Sequence, residues 1–117
     1  MNKLFFLDDE HEKTFSLLVS QKSKKKDSEY ATAFYVLTAD AELRKKGMKY
    51  ITSDGINWEG IWENDWSSGY RVILQLAESL FKSSGRVDLV YGLGTWGEEL
   101  YQVAMQAIQI RRRGIPE

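Results

Sequence analysis

Glu59 and Glu63 stand one helical turn apart in the stretch GINWEGIWENDWSSGY, with Asp65 close behind. That spacing presents two carboxylates together, as hydrolytic chemistry requires. Adjacent acids also describe an ordinary solvated helix, and nothing nearby specifies a cleft or a raised pKa. His11, the only histidine, sits among Asp8, Asp9, Glu10 and Glu12, a setting that suits a metal or an acid/base pair. Acids in a first helical turn follow from the macrodipole alone, and one histidine without a second ligand motif does not make a catalytic zinc site. No serine or cysteine occupies a recognisable nucleophile turn.

Gly92, Gly94 and Gly97 in YGLGTWG have the spacing of the dinucleotide-binding fingerprint, preceded by the apolar VDLVY. The fingerprint also needs a second parallel strand and an acid about 20 positions on, and only a helix and a short basic tail follow. A glycine-rich connection between helices is the reading adopted. Three basic clusters remain: QKSKKK with Lys24, Lys25 and Lys26, ELRKKGMK with Arg44, Lys45 and Lys46, and QIRRRG with Arg111, Arg112 and Arg113. Gathered by the fold they would make a phosphate-tracking patch, yet each follows a predicted helix, whose carbonyl end already favours cations.

Trp58, Trp62 and Trp66 recur every four residues, so each ring advances about 40° around a helix and the three form one broad stripe. Gly60, Asn64 and Asp65 weaken a continuous helix, and one or two short helical turns are expected. Core packing is the default for tryptophan, but the flanking Glu59, Glu63 and Asp65 give the segment the mixed aromatic and polar character of an interface. Trp58, Glu59, Trp62, Glu63, Asp65 and Trp66 are therefore the candidate protein-binding residues, with Trp58 and Trp66 leaning to the core and Trp62 evenly balanced.

The chain that must position these residues has 117 amino acids, 43% hydrophobic, 13% aromatic and 28% charged. Such a length suits one globular domain, spanning 1–117, with a real core. Sixteen basic and 17 acidic residues give a formal net charge of −1, which supplies no overall field toward nucleic acid or anionic lipid. Cysteine is absent, so disulfides and thiolate metal sites are excluded. The opening MNKLFFLDDE is too poor in apolar residues for a signal peptide, and no apolar run approaches the roughly 20 residues of a membrane span. A cytoplasmic location is expected.

Hydrophobic spacing predicts a helix over Asp9 to Gln21, started by an Asp9/Glu12 capping box, with His11, Phe15, Leu18 and Val19 on one face. Asp27 or Ser28 caps a second helix through Tyr30, Ala33, Phe34 and Leu37, and Asp40 caps AELRKK, which Gly47 closes in a left-handed conformation. Tyr70 to Lys82 and Glu98 to Arg112 each show a single narrow polar stripe and are read as largely buried helices. Thr95 and Glu98 make a capping box before the last helix; Gly114 and Pro116 end it. The expected fold is a compact all-α domain of about five helices, with the N-terminal amphipathic helices covering the two buried C-terminal ones.

FLDDEHEKTFSLLV followed by DSEYATAFYVLTADAEL resembles a group of small proteins encoded by Gram-positive bacteria and their phages and prophages. The shared features are an aromatic and acidic start, EH, a Leu-Leu pair and an aromatic-rich YxL helix, confined to about a third of the chain. The resemblance implies a phage or prophage setting and a largely helical fold, and supplies no activity. With no assembled catalytic constellation, cofactor motif or metal site, the sequence is read as a non-enzymatic protein that binds another protein, a host factor or a second copy of itself. Nucleic-acid binding through the basic clusters and hydrolysis through the clustered carboxylates are the rival readings.

Overall fold

The Asp27 carboxylate accepts hydrogen bonds from the backbone N–H groups of Glu29 and Tyr30, and so starts α2, Ser28–Leu37. Its sequence SEYATAFYVL is apolar nearly all round, and every residue from Ala31 to Ala39 is buried. The hydroxyls that this environment would strand are satisfied within the helix. Thr32 donates to Ser28 O at 2.6 Å and Thr38 to Phe34 O at 2.7 Å, since a buried hydroxyl without a partner would be costly. The computed structural model describes residues 3–21, 27–82 and 85–116, and in it α2 is the central element.

Around α2 are α1 (Asp9–Gln21), α3 (Ala41–Gly47), a 3₁₀ turn (Met48–Tyr50), α4 (Trp58–Trp62), α5 (Ser68–Lys82), α6 (Leu89–Thr95) and α7 (Glu98–Arg113). A two-stranded antiparallel hairpin, β1 (Ile51–Thr52) and β2 (Gly55–Ile56), pairs Ile51 with Ile56 and Thr52 with Gly55. Gly55 has φ +143°, a conformation that L side chains rarely adopt. α2 packs most extensively against α5 and α7, and α1 lies along it. The Cα radius of gyration, 12.9 Å, is near the roughly 13 Å of a compact chain of this length.

The all-α class agrees with the sequence, but the helix count and the burial pattern do not. Seven α-helices occur among the described residues rather than about five, because the tryptophan segment forms α4 and the supposed glycine-rich connection forms α6. The C-terminal α6 and α7 are largely exposed rather than buried. α7 buries Val103, Ala104, Ala107 and Ile110, while Tyr101 is exposed and Leu100, Met105 and Ile108 are only half-buried. A narrow polar stripe does not require that the rest of the circumference be covered. α2 is the enclosed element, α5 is largely buried against it as its spacing predicts, through Val72, Ile73, Leu74, Leu76 and Ala77, and α7 forms an outer layer.

Several local signals also resolve differently. Asp8, not Asp9, caps α1, accepting from His11 N at 2.8 Å. Asp40 caps α3 as expected, accepting from Leu43 N at 2.9 Å. Gly47 has φ −106° and is not left-handed. Its value is space, because a Cβ there would lie 2.9 Å from Leu37 Cδ2. Thr95 belongs to α6, and α7 starts at Glu98 after Gly97, which supplies no side-chain cap. Gly114, at φ +77°, does end α7.

Candidate protein-binding surface

The tryptophans divide by depth. Trp58 and Trp66 are 4% and 3% exposed, and Trp66 Nε1–H donates to Ile61 O at 2.8 Å. Trp58 packs against Phe81, and its buried Nε1 has no hydrogen-bond partner. Trp62 is half-buried, donating to Glu78 Oε1 at 2.9 Å, and Glu78 in turn pairs with Lys82 at 3.0 Å. Burial of the first two rings leaves the polar part of the segment outside. Glu59, Glu63 and Asp65 are all exposed, so the structure brings neither carboxylate of the Glu59/Glu63 pair into a desolvated site. Two clefts of about 380 and 350 Å³ have other linings, Lys3, Leu4, Gln106, Gln109 and Arg113 in one and Asp40, Ser67, Tyr70, Glu98 and Glu99 in the other. Among the described residues, no group of three or more His, Asp and Glu side chains could hold a metal ion.

His11 is fully buried and works as a structural clip. Its Nδ1 accepts from Leu7 N at 3.1 Å, and Nε2–H donates to Tyr35 O at 2.9 Å, which fixes the neutral tautomer. Burial pushes its pKa down to about 4, against the raising effect of the Tyr35 carbonyl and of Asp8. The Tyr35 hydroxyl donates to Phe5 O at 2.5 Å, and Phe5 N–H donates to Gln106 Oε1 at 2.7 Å. Together these bonds tie the N-terminal segment to α1, α2 and α7. Burial also holds the Tyr35 phenol well above the usual tyrosine range.

The described basic clusters lie at opposite ends of α2. Arg44 Nη1 donates to Thr38 O, just past its C-terminus, whereas Arg111 Nη1 donates to Ser28 Oγ at its N-terminus. Ten residues of helix, about 15 Å, separate them. Lys46 is held by Glu42 at 2.7 Å and lies over the Trp66 ring; Arg111 also bonds Leu80 O and pairs with Glu29. Lys45, Arg112 and Arg113 are exposed, and Lys24, Lys25 and Lys26 lie outside the described residues.

The surface that sequence reasoning missed is α6. Asp88 caps it by accepting from Tyr91 N at 3.0 Å, and only one of its seven residues, Gly92, is buried. A Cβ on Gly92 would meet the Trp96 ring at 2.8 Å and Val72 Cγ1 at 2.9 Å, so α6 rests on the body of the protein through bare backbone. At 100° per residue, Val90 and Gly94 then lie within about 20° of the outermost line, with Tyr91 and Leu93 on the two flanks. The exposures follow: Val90 82%, Leu93 53%, Tyr91 51% and Leu89 43%. Four large apolar side chains thus project from one short helix, unlike Leu17, which is exposed singly on α1. Gly94 adds a gap in this ridge, for a Cβ there would have nothing within 4 Å. Glycine inside a helix costs about 1 kcal/mol relative to alanine, and no contact among the described residues accounts for it here. The available signal was the apolar run LVYGL after a capping aspartate, which the fingerprint spacing of the glycines obscured.

No curated protein and no solved structure shows significant similarity to the chain. The match that does exist corrects the resemblance drawn from the N-terminal third: it extends over residues 1–111 and carries no phage or prophage setting. The chain belongs to the family of unknown function DUF6075.

Proposed function

We propose that this protein acts by binding another protein through the outward face of α6. The observation that carries the reading is the placement of Leu89, Val90, Tyr91 and Leu93 in solvent on a helix whose sole buried residue is Gly92. An amphipathic helix normally turns its apolar side chains toward its own core. Here Val90 faces outward with Tyr91 and Leu93 on the flanks, and glycine makes the inward contact, an arrangement suited to a second protein. Trp58 and Trp66 belong to the core; Glu59, Trp62, Glu63 and Asp65 leave a more polar face on the tryptophan segment.

The test uses tagged protein and its Val90→Asp variant as baits in nuclease-treated lysate of the source cells, which also express an untagged copy. Retained proteins are identified by mass spectrometry. A protein held by the parent and lost from an equally stable Val90→Asp variant is the expected result. Identical retention by both baits would remove α6 from the proposal. Material retained only when nuclease is omitted would favour nucleic acid instead.

A further inference from the structure

We infer that the α6 face is covered by a second copy of this chain, the two α6 helices lying antiparallel about a twofold axis. The inference rests on the reading of α6 as a protein-binding surface and names its occupant. Two features make this face complementary to itself, and a third sets how tightly it pairs.

The first is the ridge. Val90 and Gly94 stand two residues to either side of Gly92 and share the outermost line of the helix. When an antiparallel twofold is centred on Gly92, Val90 of each copy falls opposite Gly94 of the other. The most exposed side chain then enters the gap left by the missing one, twice, and the open space around Gly94 acquires a use. In the same arrangement Leu93 meets the partner's Leu93, and Tyr91 the partner's Tyr91, along the two sides of the crossing.

The second feature is charge. Arg86 lies in the segment just before α6, and Glu98 and Glu99 open α7 just after it; all three are exposed. Antiparallel pairing brings the basic end of one α6 to the acidic end of the other, whereas parallel pairing brings like ends together. Asp88, the acid nearest Arg86, is occupied in capping α6. A formal net charge of −1 leaves little long-range repulsion between copies.

The third is area. The four exposed side chains offer on the order of 400 Å² per copy, or about 800 Å² for the pair, before the flanking charged residues are counted. That is below the roughly 1,200 Å² at which stable interfaces begin, so the dimer should be weak and reversible.

Sedimentation equilibrium from about 1 µM to 1 mM tests the inference on the full chain. Parent protein should pass from monomer to dimer, and Val90→Asp should raise the Kd at least tenfold. Arg86→Glu should weaken the dimer, and adding Glu98→Arg with Glu99→Arg should restore it. Because the chain has no cysteine, Leu93→Cys provides a second readout. It should form an intermolecular disulfide under mild oxidation far faster than Leu17→Cys, which is exposed on α1. Parent protein that stays monomeric to 1 mM overturns self-pairing, as does a dimer that Val90→Asp leaves unchanged. Monomeric parent that still captures a different protein through Val90 would overturn self-pairing alone; failure of capture as well would remove both proposals.

Discussion

Lowering the pH from 7 to 4 should destabilise the protein through His11, by an amount that can be worked out. The ring is neutral in the fold and fully buried, with its pKa lowered from 6.5 to about 4, chiefly by desolvation. Protonation would also place a hydrogen on Nδ1 facing the Leu7 N–H that now donates to it. Above pH 6.5 the group is neutral in both folded and unfolded chains and stability does not depend on it. Between 6.5 and 4 the unfolded chain binds a proton that the folded one refuses, so stability falls with pH. At 1.36 kcal/mol per pKa unit the loss reaches about 3 kcal/mol near pH 4. Urea unfolding at pH 7, 5.5 and 4.5 would measure it, with His11→Gln as the reference for pH effects from other groups. The variant, though less stable at pH 7, should lose less on acidification. Since His11 is the only histidine, its ring proton resonances can be followed directly by NMR. Titration near 6.5 in the folded protein, or equal losses in parent and variant, would refute the argument.

Two glycines of α6 should respond oppositely to one methyl group. Gly92→Ala drives a Cβ against Trp96 and Val72 and should destabilise the protein by about 1–3 kcal/mol, read by thermal unfolding. Gly94→Ala meets open space and should stabilise the monomer by about 0.5–1 kcal/mol while weakening any dimer. Trp58→Ala, at a buried ring, should lose about 3–5 kcal/mol in a urea melt. Trp62→Phe should lose about 1 kcal/mol, the net worth of its hydrogen bond to Glu78. Arg111→Met removes the bonds to Leu80 O and Ser28 Oγ, and should lower stability by about 1.5–3 kcal/mol with little change in the helical circular dichroism signal.

Helices were legible where local chemistry decides them. Asp27 and Asp40 cap as their positions predict, and the spacing of His11, Phe15, Leu18 and Val19 marks the buried face of α1. Depth was less legible, because it depends on which helix the others surround. The all-round apolar character of AFYVL marked the centre of the fold; the narrow polar stripe correctly marked α5 as largely buried, but the same stripe on α7 did not. The candidate site was harder still. Tryptophans attract attention as interface residues, but two of the three are needed to fill the core. In LVYGLGT, glycine rather than a large residue makes the inward contact, which reverses the rule that apolar side chains point inward. The positions of Trp96 and Val72 against Gly92 reveal the reversal.

The enclosure of α2 has a consequence for how the protein comes apart. Ten residues are too few for a helix to persist alone in water, and α2 owes its existence to α1, α5 and α7 packed around it. Two of those neighbours come from the C-terminal half of the sequence, so the middle of the molecule is completed only when distant parts of the chain meet. The backbone amides of Ala33 to Leu37 should therefore exchange with solvent only through global opening, while those of α6, resting on a single glycine, should exchange through local detachment. The same molecule then combines a core that opens all at once with an outer helix free to lift, and the surface proposed for binding lies on the part that yields first.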